Sequence, residues 1–123
     1  MFKYADSHEW AKADGKLVTV GISDYAAEHL GDVIFAELPA VGSAVKKGAK
    51  LVDLESVKAV AEVFSPVSGK VVEVNTAVGD NAGMINESPQ GDGWIVKIEA
   101  ADTAELDTLM DEAAYRKFLE SQH

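Results

Sequence analysis

The chain of 123 residues contains no cysteine. That excludes disulfides, thiolate metal sites and a cysteine nucleophile, and it suits a reducing compartment. Basic residues are scarce: 11 Lys and Arg stand against 21 Asp and Glu, a formal net charge of −10. Such a surface repels phosphate backbones and anionic lipid heads, so nucleic acid and membrane are not expected as partners, and partners with basic docking faces are favoured. No apolar stretch approaches the ~20 residues that span a bilayer. Met1–Asp6 has neither an apolar signal core nor an arginine-rich leader. The expected location is cytoplasmic and soluble, or the mitochondrial matrix if a transit peptide has been removed.

Ordinary catalytic sets are missing too. His8, His29 and His123 lie far apart, and none falls in a close-spaced metal-ligand pattern. His29 reads as a helix C-terminal residue. No glycine-rich phosphate loop follows a strand and opens a helix, and the serines show no nucleophile-elbow pattern. Gly91-Asp92-Gly93 reads as a turn before a strand. The acidic residues sit in no context that marks an acid–base pair. The residues assemble no enzyme site.

Short strands are what the sequence does contain. Leu17–Ile22, Val33–Leu38, Leu51–Leu54, Ala59–Phe64, Lys70–Asn75 and Trp94–Glu99 are rich in Val, Ile, Leu and aromatics. Turn residues separate them, among them Asp14-Gly15, Leu38-Pro39, Lys47-Gly48, Ser68-Gly69 and Gly79-Asp80. Regular short strands of this kind predict a mainly β barrel or sandwich. Three short helices interrupt it. Ser23 is placed to cap Asp24–Leu30, with Gly31 as its stop. Asp102 or Thr103 caps a turn that sets Leu106, Leu109 and Met110 on one face. Asp111 opens a last helix with Ala114, Tyr115, Phe118 and Leu119 as its apolar stripe. A chain of this length is expected to be one domain, strands to about residue 100 and a helical segment over 102–120. Trp10 and Trp94 are expected in the core.

A weak echo links 41–51 with 74–84, each running valine, glycine, apolar residue. Two similar β units would place the segment between them, Glu55-Ser56-Val57-Lys58-Ala59, on a pseudo-symmetry axis. Lys58 is the only lysine between Lys50 and Lys70. A lysine amine with pKa near ~10.4 is protonated and a poor nucleophile at neutral pH, and Glu55 and Glu62 favour the charge. Schiff-base chemistry is therefore disfavoured, which leaves a solvent-facing strand lysine, the reading composition favours, or a target for modification by another enzyme.

Several blocks in order resemble the glycine cleavage H-protein family: Ser7-His8-Glu9-Trp10, Val20-Gly21-Ile22-Ser23-Asp24-Tyr25-Ala26, Leu30-Gly31-Asp32-Val33 and Glu37-Leu38-Pro39. They continue with Glu55-Ser56-Val57-Lys58-Ala59, Ser65-Pro66-Val67-Ser68-Gly69 and Gly93-Trp94, with Asn86 and Pro89 also in register. The similarity spans essentially the whole chain. It implies a flattened barrel-sandwich hybrid with lipoate in amide linkage on Lys58, within the motif Glu55, Ser56, Val57 and Ala59, at a hairpin tip. Val57-Lys58 offers none of the Gly, Asn or Pro that tight turns use.

The resemblance also implies a non-catalytic carrier. Its arm takes an aminomethyl group from glycine decarboxylase (the P-protein) to the aminomethyltransferase (the T-protein). Dihydrolipoyl dehydrogenase (the L-protein) then reoxidises it, and a lipoate ligase or lipoyl/octanoyl transferase loads it. Ser7, Glu9 and Glu62 are the implied pocket for the loaded arm; each also reads simply, Ser7 as a turn residue and the two glutamates as solvated charges. Ala82 and Pro89-Gln90 depart from the usual proline and Pro-Tyr of the family, with loop stiffness or partner contact as the expected effect. An H-like relay that passes lipoyl or octanoyl groups to other carriers would use the same lysine and fold. A biotin carrier is disfavoured, because Val57 and Ala59 stand where that class has methionines.

Overall fold

The computed structural model describes residues 2–121, so His123 lies outside the described residues. Among the described residues, nine strands form two antiparallel sheets. They are β1 (Phe2–Tyr4), β2 (Glu9–Asp14), β3 (Leu17–Ile22), β4 (Val33–Glu37), β5 (Ala44–Val45), β6 (Lys50–Ser56), β7 (Val60–Phe64), β8 (Gly69–Val74) and β9 (Val96–Ala100). One sheet has the order β1-β2-β3-β9-β8-β5 and the other β4-β6-β7. The pairing leaves both sheets open, so the barrel-sandwich is held by packing between sheets and not by a closed ring of hydrogen bonds. A single buried cluster draws Val20, Val71 and Ile98 from the first sheet and Val33, Leu54 and Val63 from the second.

β1, β2 and β5 carry no strand signal in the sequence. β2 reads Glu-Trp-Ala-Lys-Ala-Asp, with its first three residues buried and its last three exposed, so it never alternates. β1 and β5 are three and two residues long and exist through their partners β2 and β8.

α1 (Asp24–Leu30) forms as expected. The Ser23 hydroxyl accepts from Ala26 N at 3.1 Å, and Gly31 ends the helix at φ 77°. α4 (Glu112–Glu120) starts at Asp111, whose carboxylate accepts from Ala114 N. Between β9 and α4, Asp102 caps a 3-10 turn over Thr103–Thr108. Its apolar residues do not share one face. Leu106 and Leu109 pack on the main core, whereas Met110 leaves as extended chain, bridges Tyr4 and joins a second cluster. That cluster holds buried Tyr4, Trp10, Tyr115 and Leu119, with Trp94 against it, and Tyr4 stacks on Tyr115 at 4.3 Å between ring centroids. Burial of these rings fixes α4 to the first sheet.

The internal echo does not survive folding. Residues 41–51 make turns in which Gly42 and Gly48 have φ of 97° and 86°, followed by strand. The second copy instead forms α2 (Thr76–Asp80) and α3 (Met84–Glu87), two helices beyond the expected three, which bury Val78 and Ile85. Gly79 sits inside α2 and Gly83 has φ −61°, so neither makes the left-handed turn that its counterpart makes. The departures from the usual family residues also serve the interior. Ala82 is buried in the core, and the Gln90 amide donates to the Tyr4 hydroxyl at 2.8 Å.

Candidate functional site

β6 and β7 form a hairpin in the register Glu55↔Val60 and Leu54↔Ala61, with Val57, Lys58 and Ala59 between the strands. None of the three takes a left-handed conformation. The turn is closed instead by Ser56. Its N–H donates to Ala59 O at 2.8 Å, and its hydroxyl donates to the same oxygen while accepting from Lys58 N and Ala59 N. A serine side chain standing in for backbone partners is established turn chemistry. It lies one residue before the segment in which glycine or asparagine would be sought.

The tip is tied down on its other side. Val57 N donates to Asp32 O at 3.1 Å. From α3, Asn86 accepts from Val33 N at 2.8 Å and donates to Gly31 O at 2.7 Å, clamping the chain beneath the tip. Val57, Lys58, Ala59 and Val60 are exposed on this platform. The Lys58 stem crosses Gly31, where an added Cβ would lie 3.3 Å from Lys58 Cε.

From that point a cleft of about 390 Å³ runs between α1 and β7. Tyr25, Ala26, His29 and Leu30 form one wall and Ala59 through Val63 the other, with Ile22 and Leu54 between them. β7 is an edge strand. Ser56 and Ala59 form a hydrogen-bonded pair, so alternation makes Glu55–Val60 and Asp53–Glu62 non-hydrogen-bonded pairs. The main-chain groups of Val60 and Glu62 therefore point off the free edge.

Ser7, His8 and Glu9 line the far end of the cleft. Glu9 is 2% exposed, so it is no solvated charge. Its Oε2 accepts from Phe64 N at 3.2 Å, where β7 ends, and its Oε1 accepts from the Ser7 hydroxyl. Burial raises the Glu9 carboxyl above the usual carboxylate range, and the bonds from Ser7 and Phe64 N pull back toward the ionised form. Glu62 is exposed and lines the same cleft. The three acid and hydroxyl residues singled out from sequence thus meet in one cleft beside Lys58. Glu55 is exposed on the hairpin and does not line the cleft. On the other side of Ser7 and Glu9 lies a second hollow of about 380 Å³, walled by Tyr4, Lys47 and Phe118 among others.

The sequence reading overlooked His8, Tyr25 and His29 as cleft residues. On α1, Tyr25 and His29 stand four residues apart and Ala26 and His29 three apart, so the helical repeat carried the signal that His29 neighbours both.

Open β sheets that hold an exposed lysine at a pinned hairpin tip, with an apolar cleft leading away from it, have the form that a carrier domain would use. The comparisons with known proteins give its kind. The glycine cleavage H-protein family model matches residues 2–122. The glycine cleavage system H protein of Parvibaculum lavamentivorans is 51% identical over 119 residues, 97% of this chain and 95% of the relative. The mitochondrial glycine cleavage system H protein 2 of Arabidopsis thaliana is 52% identical over 120 residues, 98% of this chain and 77% of the relative. The crystal structure of a glycine cleavage system H protein from Mycobacterium marinum superposes with a TM-score of 0.85 at 32% identity, covering 98% and 95% of the two chains. The chain belongs to the glycine cleavage H-protein family, the lipoyl carriers of the glycine cleavage system.

Proposed function

We propose that lipoate is joined to the Lys58 Nζ through an amide, and that the cleft along β7 shelters the resulting arm. The supporting observation is one of alignment: the Lys58 stem crosses Gly31 at one end of β7, and buried Glu9 holds Phe64 N at the other. From Ala59 to Phe64 is five strand steps, about 16 Å at ~3.3 Å per residue. A long aliphatic arm with a polar terminus fits a channel with apolar walls and a carboxylate at its end.

When bound, lipoate supplies a dithiolane that accepts a carbon–nitrogen fragment and is later restored to its disulfide. The protein supplies the surroundings. Ile22, Leu30 and Leu54 exclude water from the apolar part of the arm. Glu9 Oε1 and Oε2, the Ser7 hydroxyl and the Glu62 carboxylate can hold a cationic terminus by charge-assisted bonds. The bonds from Ser7 and Phe64 N favour the ionised form of Glu9 and offset part of the cost of burial.

The chain is a non-catalytic subunit in this reading. Its arm visits glycine decarboxylase, the aminomethyltransferase and dihydrolipoyl dehydrogenase in turn, and tethering raises its effective concentration at each. The net charge of −10 favours basic docking faces on them. No helix among the described residues is long and apolar enough to cross a membrane. The test is treatment with a lipoate ligase, followed by intact mass and peptide mapping. One lipoyl group on Lys58 is expected. Modification elsewhere, or none under conditions that load another lipoyl protein, overturns the reading.

A further inference from the structure

His8 has φ 78°, the only left-handed non-glycine residue among those described. A β-like strand entry at Glu9 would not require that conformation, and a side chain held in it is over-determined by its surroundings. The constraints are visible. His8 N donates to Ala5 O at 3.0 Å, His8 O accepts from Ser23 N at 2.9 Å, and Nδ1 lies 2.8 Å from the Tyr115 hydroxyl. That hydroxyl is 2.6 Å from Ser23 Oγ.

The direction of this chain follows from counting protons. Ser23 is fully buried, and its Oγ already accepts from Ala26 N as the cap of α1. Among the described residues, the one remaining partner for the Ser23 proton is the Tyr115 oxygen. The opposite polarity would strand that proton in the interior, which native structures avoid. Ser23 therefore donates to Tyr115, and Tyr115 spends its single proton on His8 Nδ1. An imidazole that accepts at Nδ1 carries its proton on Nε2 when neutral. Burial and the nearby His29 hold His8 below the usual imidazole range, opposed by Asp6, which agrees with a neutral ring.

Nε2 has no protein partner among the described residues and is not sealed from solvent. The ring lines the cleft, packed 4.9 Å from Tyr25 and 6.1 Å from Phe118 between centroids. It stands beside Ser7 and Glu9, at the end away from Lys58. We propose that His8 Nε2–H is a hydrogen-bond donor for the sulfur end of the reduced arm, and that Tyr115 and Ser23 are positioning residues that fix its tautomer. This rests on the placement of the arm under Proposed function. It assigns the termini of the cleft different tasks: Ser7, Glu9 and Glu62 take a cation, while His8 offers a neutral donor to a sulfur acceptor. It also gives α4, which lies outside the sheets, a part in the cleft.

The test uses the full chain labelled with nitrogen-15, unmodified and then lipoylated and reduced. In the unmodified protein, imidazole spectra should show His8 protonated on Nε2, with Nδ1 accepting a hydrogen bond. This measurement needs no lipoate, so its failure is separate from failure of the carrier reading. A proton on Nδ1 overturns the relay. In the reduced lipoyl protein the His8 Nε2–H signal should shift and exchange more slowly with water. With carbon-13 lipoate on the arm, His8→Asn, which tolerates a left-handed backbone, should lower the docked fraction relative to the free arm by about fivefold, the weight of one neutral hydrogen bond. Tyr115→Phe should leave lipoylation intact and abolish the acceptor signature at Nδ1. An Nε2–H signal indifferent to the arm, or an unchanged docked fraction in His8→Asn with a normal thermal melt, overturns the proposal.

Discussion

The Lys58 stem lies across Gly31, with Cε only 3.3 Å from where a Cβ on that glycine would stand. Gly31 meets two demands: it ends α1 at φ 77°, and it leaves room for the aliphatic part of the lysine. Gly31→Ala should destabilise the fold by about 1–3 kcal/mol, read by urea titration, because φ 77° with ψ −162° is a conformation essentially confined to glycine. It should also slow loading of Lys58 by a lipoate ligase, because the stem is displaced from its resting line. A loading rate equal to wild type would mean that the contact is incidental.

Lys58→Arg is the sharper test of the attachment site. Arginine keeps the charge and the stem but offers no amine that can be acylated. The variant should melt like wild type, since Lys58 is exposed at the tip, and should gain no mass with ligase and lipoate. Acylation of a neighbouring lysine in its place would show that the hairpin, and not the residue, is what the ligase reads.

Ser56→Ala tests the turn. It removes three side-chain hydrogen bonds around the tip while leaving the Ser56 N to Ala59 O bond. Lost turn bonds of this kind cost about 1 kcal/mol net, so the melting temperature should fall modestly. Amide exchange at Lys58 and Ala59 should rise most of all, since their N–H groups lose their acceptor. Uniform exchange across the hairpin would place the rigidity of the tip elsewhere.

These tests fall on features that differed in how plainly the sequence showed them. Ser23, Asp111 and Gly31 announce helix ends because capping is local chemistry, and each acts as expected. β2 is silent because its burial is decided by distant partners: Trp10 meets Tyr4 and Tyr115 only after β1 and α4 have docked. The hairpin tip was hidden for another reason. Ser56 closes it from outside the two central positions where turn residues are sought, so Val57-Lys58 shows no turn signal of its own and only the family resemblance placed a tip there. Glu9 and Glu62 stand 53 positions apart, and nothing local distinguishes the buried one from the exposed one; the difference lies in β7 ending against Glu9.

Glu9 is the residue whose placement works against the fold. Its carboxyl is raised by burial, with Ser7 and Phe64 N offsetting only part of the effect. A carboxyl whose folded pKa is raised contributes stability that is present below its unfolded pKa and lost as pH climbs through the folded value. Glu9→Gln keeps the shape without the charge, so the variant should be more stable than wild type at neutral pH, and the gap should close toward acid pH. A Glu9→Gln variant more stable than wild type would fit a residue kept for function at a cost in stability. Its use would be to hold the cationic terminus of the loaded arm together with Glu62, through bonds of about 1.5–3 kcal/mol when shielded. Replacing both glutamates by glutamine should leave lipoylation of Lys58 unchanged and speed the release of formaldehyde and ammonia from the isolated, glycine-loaded protein. The comparison needs the two single variants as well, because buried Glu9 and exposed Glu62 should differ, with Glu9→Gln giving the larger increase. Equal release from wild type and the double variant would remove the shelter role from both carboxylates and leave the raised Glu9 carboxyl without a function.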